Sequence, residues 1–140
     1  MEKHTIRILV NFTNYIYYEA IKSILTKTQT TSESQQYIVE CRPPDEKFVP
    51  DIILVDFYCL DRALLSRYPD AKVLLIDTGL ELEVIASILF SHNIAGLLSC
   101  DTDIQLLKKA LRVVSSGKFW LENKHVKAFL HKTGFSPGFK

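Results

Sequence analysis

With 140 residues, 47% of them hydrophobic and 24% charged, the chain has the size and composition of one ordinary globular domain with room for a three-layer core. A formal net charge of +1 gives no general attraction to nucleic acid or anionic membrane. No apolar run approaches the roughly 20 residues that span a bilayer, and the polar start Met1-Glu2-Lys3-His4 leads straight into a strand pattern, unlike a secretory signal.

Ile6 to Phe12 reads as a first strand. Asn14 to Lys27 reads as a helix, with Ile16, Ala20, Ile24 and Tyr17, Ile21, Leu25 at i, i+4 spacing. Tyr15, Tyr17 and Tyr18 cannot all be buried on it, so some face outward, as plain surface or as part of an interface. Thr28 to Gln36 is rich in Thr, Ser and Gln without periodicity and is expected to be an exposed loop. Tyr37 to Cys41 is a short second strand. Arg42-Pro43-Pro44 ends it and leaves Asp45 to Val49 room for one helical turn at most.

Asp51 to Phe57 is the third strand, apolar at consecutive positions as a parallel strand covered on both faces requires. Leu60 to Tyr68 follows as a helix, then Lys72 to Asp77 as a fourth strand. Leu82 to His92 is a helix more apolar than one buried face demands, and its continuous run favours a partner contact around Ile88 and Leu89. Gly96 to Ser99 is a fifth strand. Asp101-Thr102-Asp103 supplies capping side chains for a helix from Ile104 to Ser116, which Gly117 stops. Lys108, Lys109 and Arg112 are expected on its solvated face, the alternative being a meeting with acidic residues of a second copy of the chain. Glu122 to Lys132 is a last amphipathic helix before a polar tail. Strands alternating with helices imply an α/β fold: a parallel sheet with right-handed crossovers and helices on both faces.

Asp56 ends the third strand, and chemistry in open α/β sheets collects beyond the carboxyl ends of the strands. Alone, it could equally mark the strand's exit to solvent. Cys41, Cys59 and Cys100 are odd in number, far apart and without CxxC spacing; they read as reduced thiols, consistent with a cytoplasmic setting, and burial is favoured for Cys100. His4, His125 and His131 lack the spacing of a metal site, and His92 is most simply a partner for a helix dipole. No Gly-rich phosphate loop, nucleophile elbow or zinc pattern is present, so no independent enzyme is expected.

Three stretches, Pro50 to Asp56, Ala95 to Asp103 and Leu111 to Leu121, carry a resemblance to the receiver domain of bacterial two-component response regulators, in particular the NarL/LuxR subgroup. The resemblance covers nearly all of residues 5 to 131. It implies a flavodoxin-like (CheY-like) sheet in the order 2-1-3-4-5, with Asp56 as phospho-acceptor of a phosphorelay. The separation of Asn11 from Asp56 also fits the family. In that family an acidic pair holds Mg²⁺, a lysine pairs with the phosphoryl group, and a hydroxyl and an aromatic residue read the phosphorylated state. Here the acidic pair aligns with Asn11 and Phe12, the lysine with Cys100, and the aromatic residue with Leu97. The hydroxyl position falls on Asp77 by strand length and on Thr78 by spacing back from Gly96.

These departures imply an atypical receiver over residues 1–121. Residues 122–140 would be a linker helix and tail leading toward a helix-turn-helix output domain beyond the chain. No cofactor is expected, and Mg²⁺ only weakly. The expected partners are a second copy of the chain, a histidine kinase or another regulatory protein, and DNA only through that further domain. The alternatives are a working phospho-acceptor at Asp56, or a small-molecule sensor in the space between Asn11, Asp56 and Cys100.

Overall fold

The computed structural model describes residues 4–27, 35–41, 47–91 and 93–133. Most of the loop expected over 28–36, the Arg42-Pro43-Pro44 stretch, His92 and the tail from 134 lie outside the described residues. The elements in chain order are β1 (His4–Asn11), α1 (Tyr15–Lys27), β2 (Gln35–Cys41), β3 (Ile52–Asp56), a 3-10 turn (Phe57–Cys59), α2 (Arg62–Arg67), β4 (Lys72–Asp77), α3 (Leu82–Ser91), β5 (Gly96–Ser99), α4 (Ile104–Ser115) and α5 (Asn123–Thr133). The five strands form one parallel sheet in the order β2-β1-β3-β4-β5, as the resemblance implies.

Strand side chains alternate between the two faces. Ile8, Val10, Ile52, Leu54, Leu74, Ile76 and Leu98 meet Tyr18 and Leu25 of α1 and Leu107, Leu111 and Val114 of α4. Leu9, Ile53, Val55, Val73, Leu75 and Leu97 meet Leu64 of α2 and Ile85, Ala86 and Ile88 of α3. Each fully buried Leu or Ile contributes about 1.5–3 kcal/mol, so β1, β3 and β4 form a stiff platform under their carboxyl ends.

Three expectations change. On α1 the buried side chains are Tyr18 and Leu25, with Ile21 packed beside them, while Tyr15, Ile16 and Tyr17 are exposed, because the helix turns the Ile21–Leu25 side of the expected stripe toward the sheet and the Ile16–Ile24 row away from it. Lys108 is buried and does not lie on a solvated face. Cys100 is exposed, since β5 ends at Ser99 and the chain turns outward there.

After α4 the chain does not lead away. Gly117, at φ +91, ends the helix, with its N–H and that of Lys118 donating to the carbonyls of Val114 and Val113. Trp120 then bridges to Gly96 along the open edge of β5, where Leu97 N–H donates to the Trp120 carbonyl (2.9 Å) and Trp120 N–H to the Ala95 carbonyl (3.0 Å). From there α5 lies on α3, with Ala128 and His125 wholly buried. The apolar surplus of α3 has a partner within the chain: Ile88 is fully buried, and α5 packs against the helix that carries it.

Candidate functional site

Strand alternation decides which side chains can meet at the carboxyl end of the sheet. Asp56 follows Leu54 onto the α1/α4 face, and it pairs in register with Ile76 of β4. Thr78, two residues on from Ile76, lines the same cavity as Asp56. Asp77 has the opposite parity. Of the two hydroxyl-position candidates, Thr78 is therefore the one beside Asp56.

Asp56 is buried, at 8% exposure, and its carboxylate is held by neutral donors. Oδ2 accepts from the Thr13 backbone N–H (3.0 Å) and the Thr13 hydroxyl (2.8 Å), and Oδ1 accepts from Cys59 N–H (2.9 Å). The Cys59 thiol is a fourth neighbour that favours the charged form. A carboxylate offers about four lone-pair positions, so the protein itself accounts for them. Burial alone would raise this carboxyl's pKa; the donors from Thr13 and Cys59 outweigh it and hold the group below its ordinary value. The same carboxylate caps the 3-10 turn that starts at Phe57.

The other aligned positions do not rebuild a cation site. Asn11 is buried and lines a separate groove with Tyr58, Cys59 and Asp61, where its amide donates to the Cys59 carbonyl (3.4 Å). Phe12 is half-buried and meets the Tyr17 ring edge-on at 5.6 Å. Mg²⁺ demands near-octahedral oxygen ligands. One carboxylate already held by donors, one neutral amide oxygen and a phenyl ring do not supply that ligand set. Among the described residues no group of three or more His, Cys, Asp or Glu could hold a metal ion. Asn11, Asp56 and Cys100 likewise do not share one space: Asp56 and Cys100 line the cavity between α1 and α4, and Asn11 does not. Leu97 is fully buried on the α3 face, an aliphatic side chain where the family has an aromatic ring.

Asp77 has a different task. Its Oδ1 accepts from Gly79 N–H (3.0 Å) and Leu80 N–H (2.7 Å), shaping the turn into α3. Its Oδ2 meets His125 Nε2 at 3.1 Å and Lys124 Nζ at 3.2 Å, both from α5. Asp77, an ionised carboxylate that can only accept, takes a hydrogen bond from His125 Nε2, and the Glu122 N–H lies 3.5 Å from His125 Nδ1. Burial would raise the Asp77 carboxyl, but the Leu80 and Gly79 N–H groups with His125 and Lys124 outweigh it and hold it low. Glu122 completes the clasp, its two oxygens accepting from the Ser99 hydroxyl (2.6 Å) and N–H (3.2 Å) at the end of β5. Thr13, Glu122, Lys124 and His125 were not legible as site residues; for α5 alone a signal of docking was present in the spacing of Leu121, His125 and Ala128 on one helical face.

The same topology occurs in solved response regulators. The isolated receiver domain of RcsB from Salmonella enterica serovar Typhimurium, solved with the phosphomimetic BeF3-, superposes with a TM-score of 0.65 at 13% identity over 89% of this chain and 99% of that one. The chain has the receiver fold. A LuxR-family two-component response regulator from Aurantimonas gives a TM-score of 0.70 at 15% identity over 93% of this chain and 99% of that one. The response regulator ChrA of a heme-sensing two-component system gives 0.65 at 15% identity over 96% of this chain and 69% of that one. No protein-family model and no curated relative matches the chain. At such identities the likeness establishes the fold, and residue roles rest on the geometry above. No helix among the described residues is long and apolar enough to cross a membrane.

Proposed function

We propose that the chain is the regulatory receiver-like module of a LuxR-type response regulator and works by protein association without phosphate on Asp56. The observation that carries this reading is the saturation of the Asp56 carboxylate by Thr13 and Cys59. A nucleophilic carboxylate must free a lone pair and gain cationic help with the incoming phosphoryl oxygens. Here attack would break bonds to neutral donors, and no lysine stands at the position of Cys100.

Association has a ready surface. Tyr15, Ile16 and Tyr17 of α1 are exposed at 62%, 73% and 47%, a cluster unusual for a surface helix. A second copy of the chain would cover it. RcsB has been described as dimers bound to DNA, and by analogy DNA contact here would belong to a domain following Lys140. A cytoplasmic setting and a regulatory, non-enzymatic role fit this picture. The runner-up is phosphorylation of Asp56 by a histidine kinase with relaxed metal demand; the position of Thr78 beside Asp56 favours it.

Thermal unfolding with beryllofluoride and Mg²⁺ separates the two. The melting temperature is expected to stay unchanged, because the carboxylate is occupied and the described residues around it offer no cation cradle. A rise of several degrees, lost in Asp56→Asn, would refute the phosphate-free reading.

A further inference from the structure

Between α1 and α4 lies a cavity of about 220 Å³ that no step above uses. It is larger than the ~150 Å³ apolar cavity that is known to accept benzene. Its walls are apolar, with Phe12, Ile21, Leu98 and Leu107 contributing, and the edge-on Phe12–Tyr17 pair offers an aromatic side. Its polar end is one-sided. Asp56 and Asp103 both line it, and none of the described residues lining it is Lys, Arg or His. The donors that hold Asp56 are neutral, so its negative charge stays uncompensated next to a low-dielectric space.

A second observation points to an occupant. Thr102 lines the same cavity, and its hydroxyl is shielded from solvent without a hydrogen-bond partner. Buried hydroxyls are almost always satisfied, so an orphan beside a cavity marks a place for a ligand group. We infer that this cavity binds a small arylalkyl amine, with the ring among Phe12, Tyr17 and Leu98 and the ammonium group donating to Asp103 and the Thr102 hydroxyl, within the field of the Asp56 charge rather than bonded to its occupied oxygens. The site exists whether or not Asp56 accepts phosphate.

Occupancy has a route outward. Ser99 lines the cavity and also donates through its hydroxyl and N–H to Glu122, the residue immediately before α5. A ligand that shifts Ser99 therefore loads the clasp that fixes α5, and with it whatever follows in the chain.

Phenethylamine is the probe, and phenylacetate, similar in size but opposite in charge, is the control. Backbone amide spectra of the labelled chain should show saturable shifts at Phe12, Leu98, Thr102 and Glu122 with phenethylamine, and none with phenylacetate. Ala20→Leu, which adds bulk from an exposed helical position lining the cavity, should abolish the shifts while leaving the melting curve intact. Asp56→Asn should weaken binding about tenfold through loss of the charge. Absence of saturable shifts with phenethylamine, equal binding of phenylacetate, or shifts that survive Ala20→Leu would each overturn the assignment. Shifts that leave Glu122 unmoved would overturn the route to α5.

Discussion

Replacing Asp77 by Ala removes one buried carboxylate that holds three segments together. It accepts from Gly79 and Leu80 N–H at the turn into α3 and from His125 at the start of α5. Each of these bonds contributes about 1 kcal/mol net, and more where the acceptor is charged. His125, at 0% exposure, would keep a ring donor with nowhere to go, which costs about 1–3 kcal/mol more. The Lys124 contact adds little, because its side chain is 49% exposed and water screens it. The expected loss is therefore about 4–6 kcal/mol, a large part of the stability of a domain this size.

Urea unfolding followed by fluorescence of Trp120, the sole tryptophan, reads this at the point where α5 begins. The double variant Asp77→Ala/His125→Ala should then cost about 1–3 kcal/mol less than the sum of the single changes. The low pKa of Asp77 sets the pH window. A carboxyl held below its unfolded value stabilises the fold above that value, and the gain disappears as pH falls through the folded one. The gap between wild type and Asp77→Ala should hold at neutral pH and close in strong acid. A loss below about 1 kcal/mol, or additivity within ~0.5 kcal/mol, would refute the clasp.

Thr13→Val keeps the side-chain shape but removes the hydroxyl donor to Asp56; a loss of about 1–2 kcal/mol is expected. Carbon-detected titration should show the Asp56 carboxyl moving upward in that variant, and an unmoved midpoint would contradict the assigned bond. Gly96→Ala would set a methyl group 2.6 Å from the Trp120 carbonyl oxygen and 2.9 Å from its Cβ. Backbone cannot yield there cheaply, so a loss of about 1–3 kcal/mol with altered Trp120 fluorescence is expected, and unchanged stability would count against the edge bridge. Cys100→Ser, at an exposed position, should change stability by less than about 0.5 kcal/mol in the same urea assay.

The sheet was readable because its code is local. The runs Lys72 to Asp77 and Gly96 to Ser99 are apolar between polar or turn residues, and both strands have those bounds. Asp103 and Gly117 likewise marked the ends of α4. Asp56 was legible from its place at a strand end, and Thr78 as one of two candidates. What was not legible depends on tertiary docking. Thr13 reaches Asp56 across 43 residues, and His125 reaches Asp77 across 48, so no spacing in the chain announces either bond. The helix expected to act as a linker carries its own buried stripe, and a histidine within that stripe read as scattered because its partner lies on another strand. The surplus apolarity of α3 was the clue to α5, though it pointed equally to another molecule.

Intact-mass measurement after incubation with acetyl phosphate and Mg²⁺ bears most directly on whether the Asp56 carboxylate is a bracket for the chain and not an acceptor. Wild type should gain no mass and match Asp56→Asn. A wild-type species heavier by one phosphoryl group, absent from Asp56→Asn, would contradict that role.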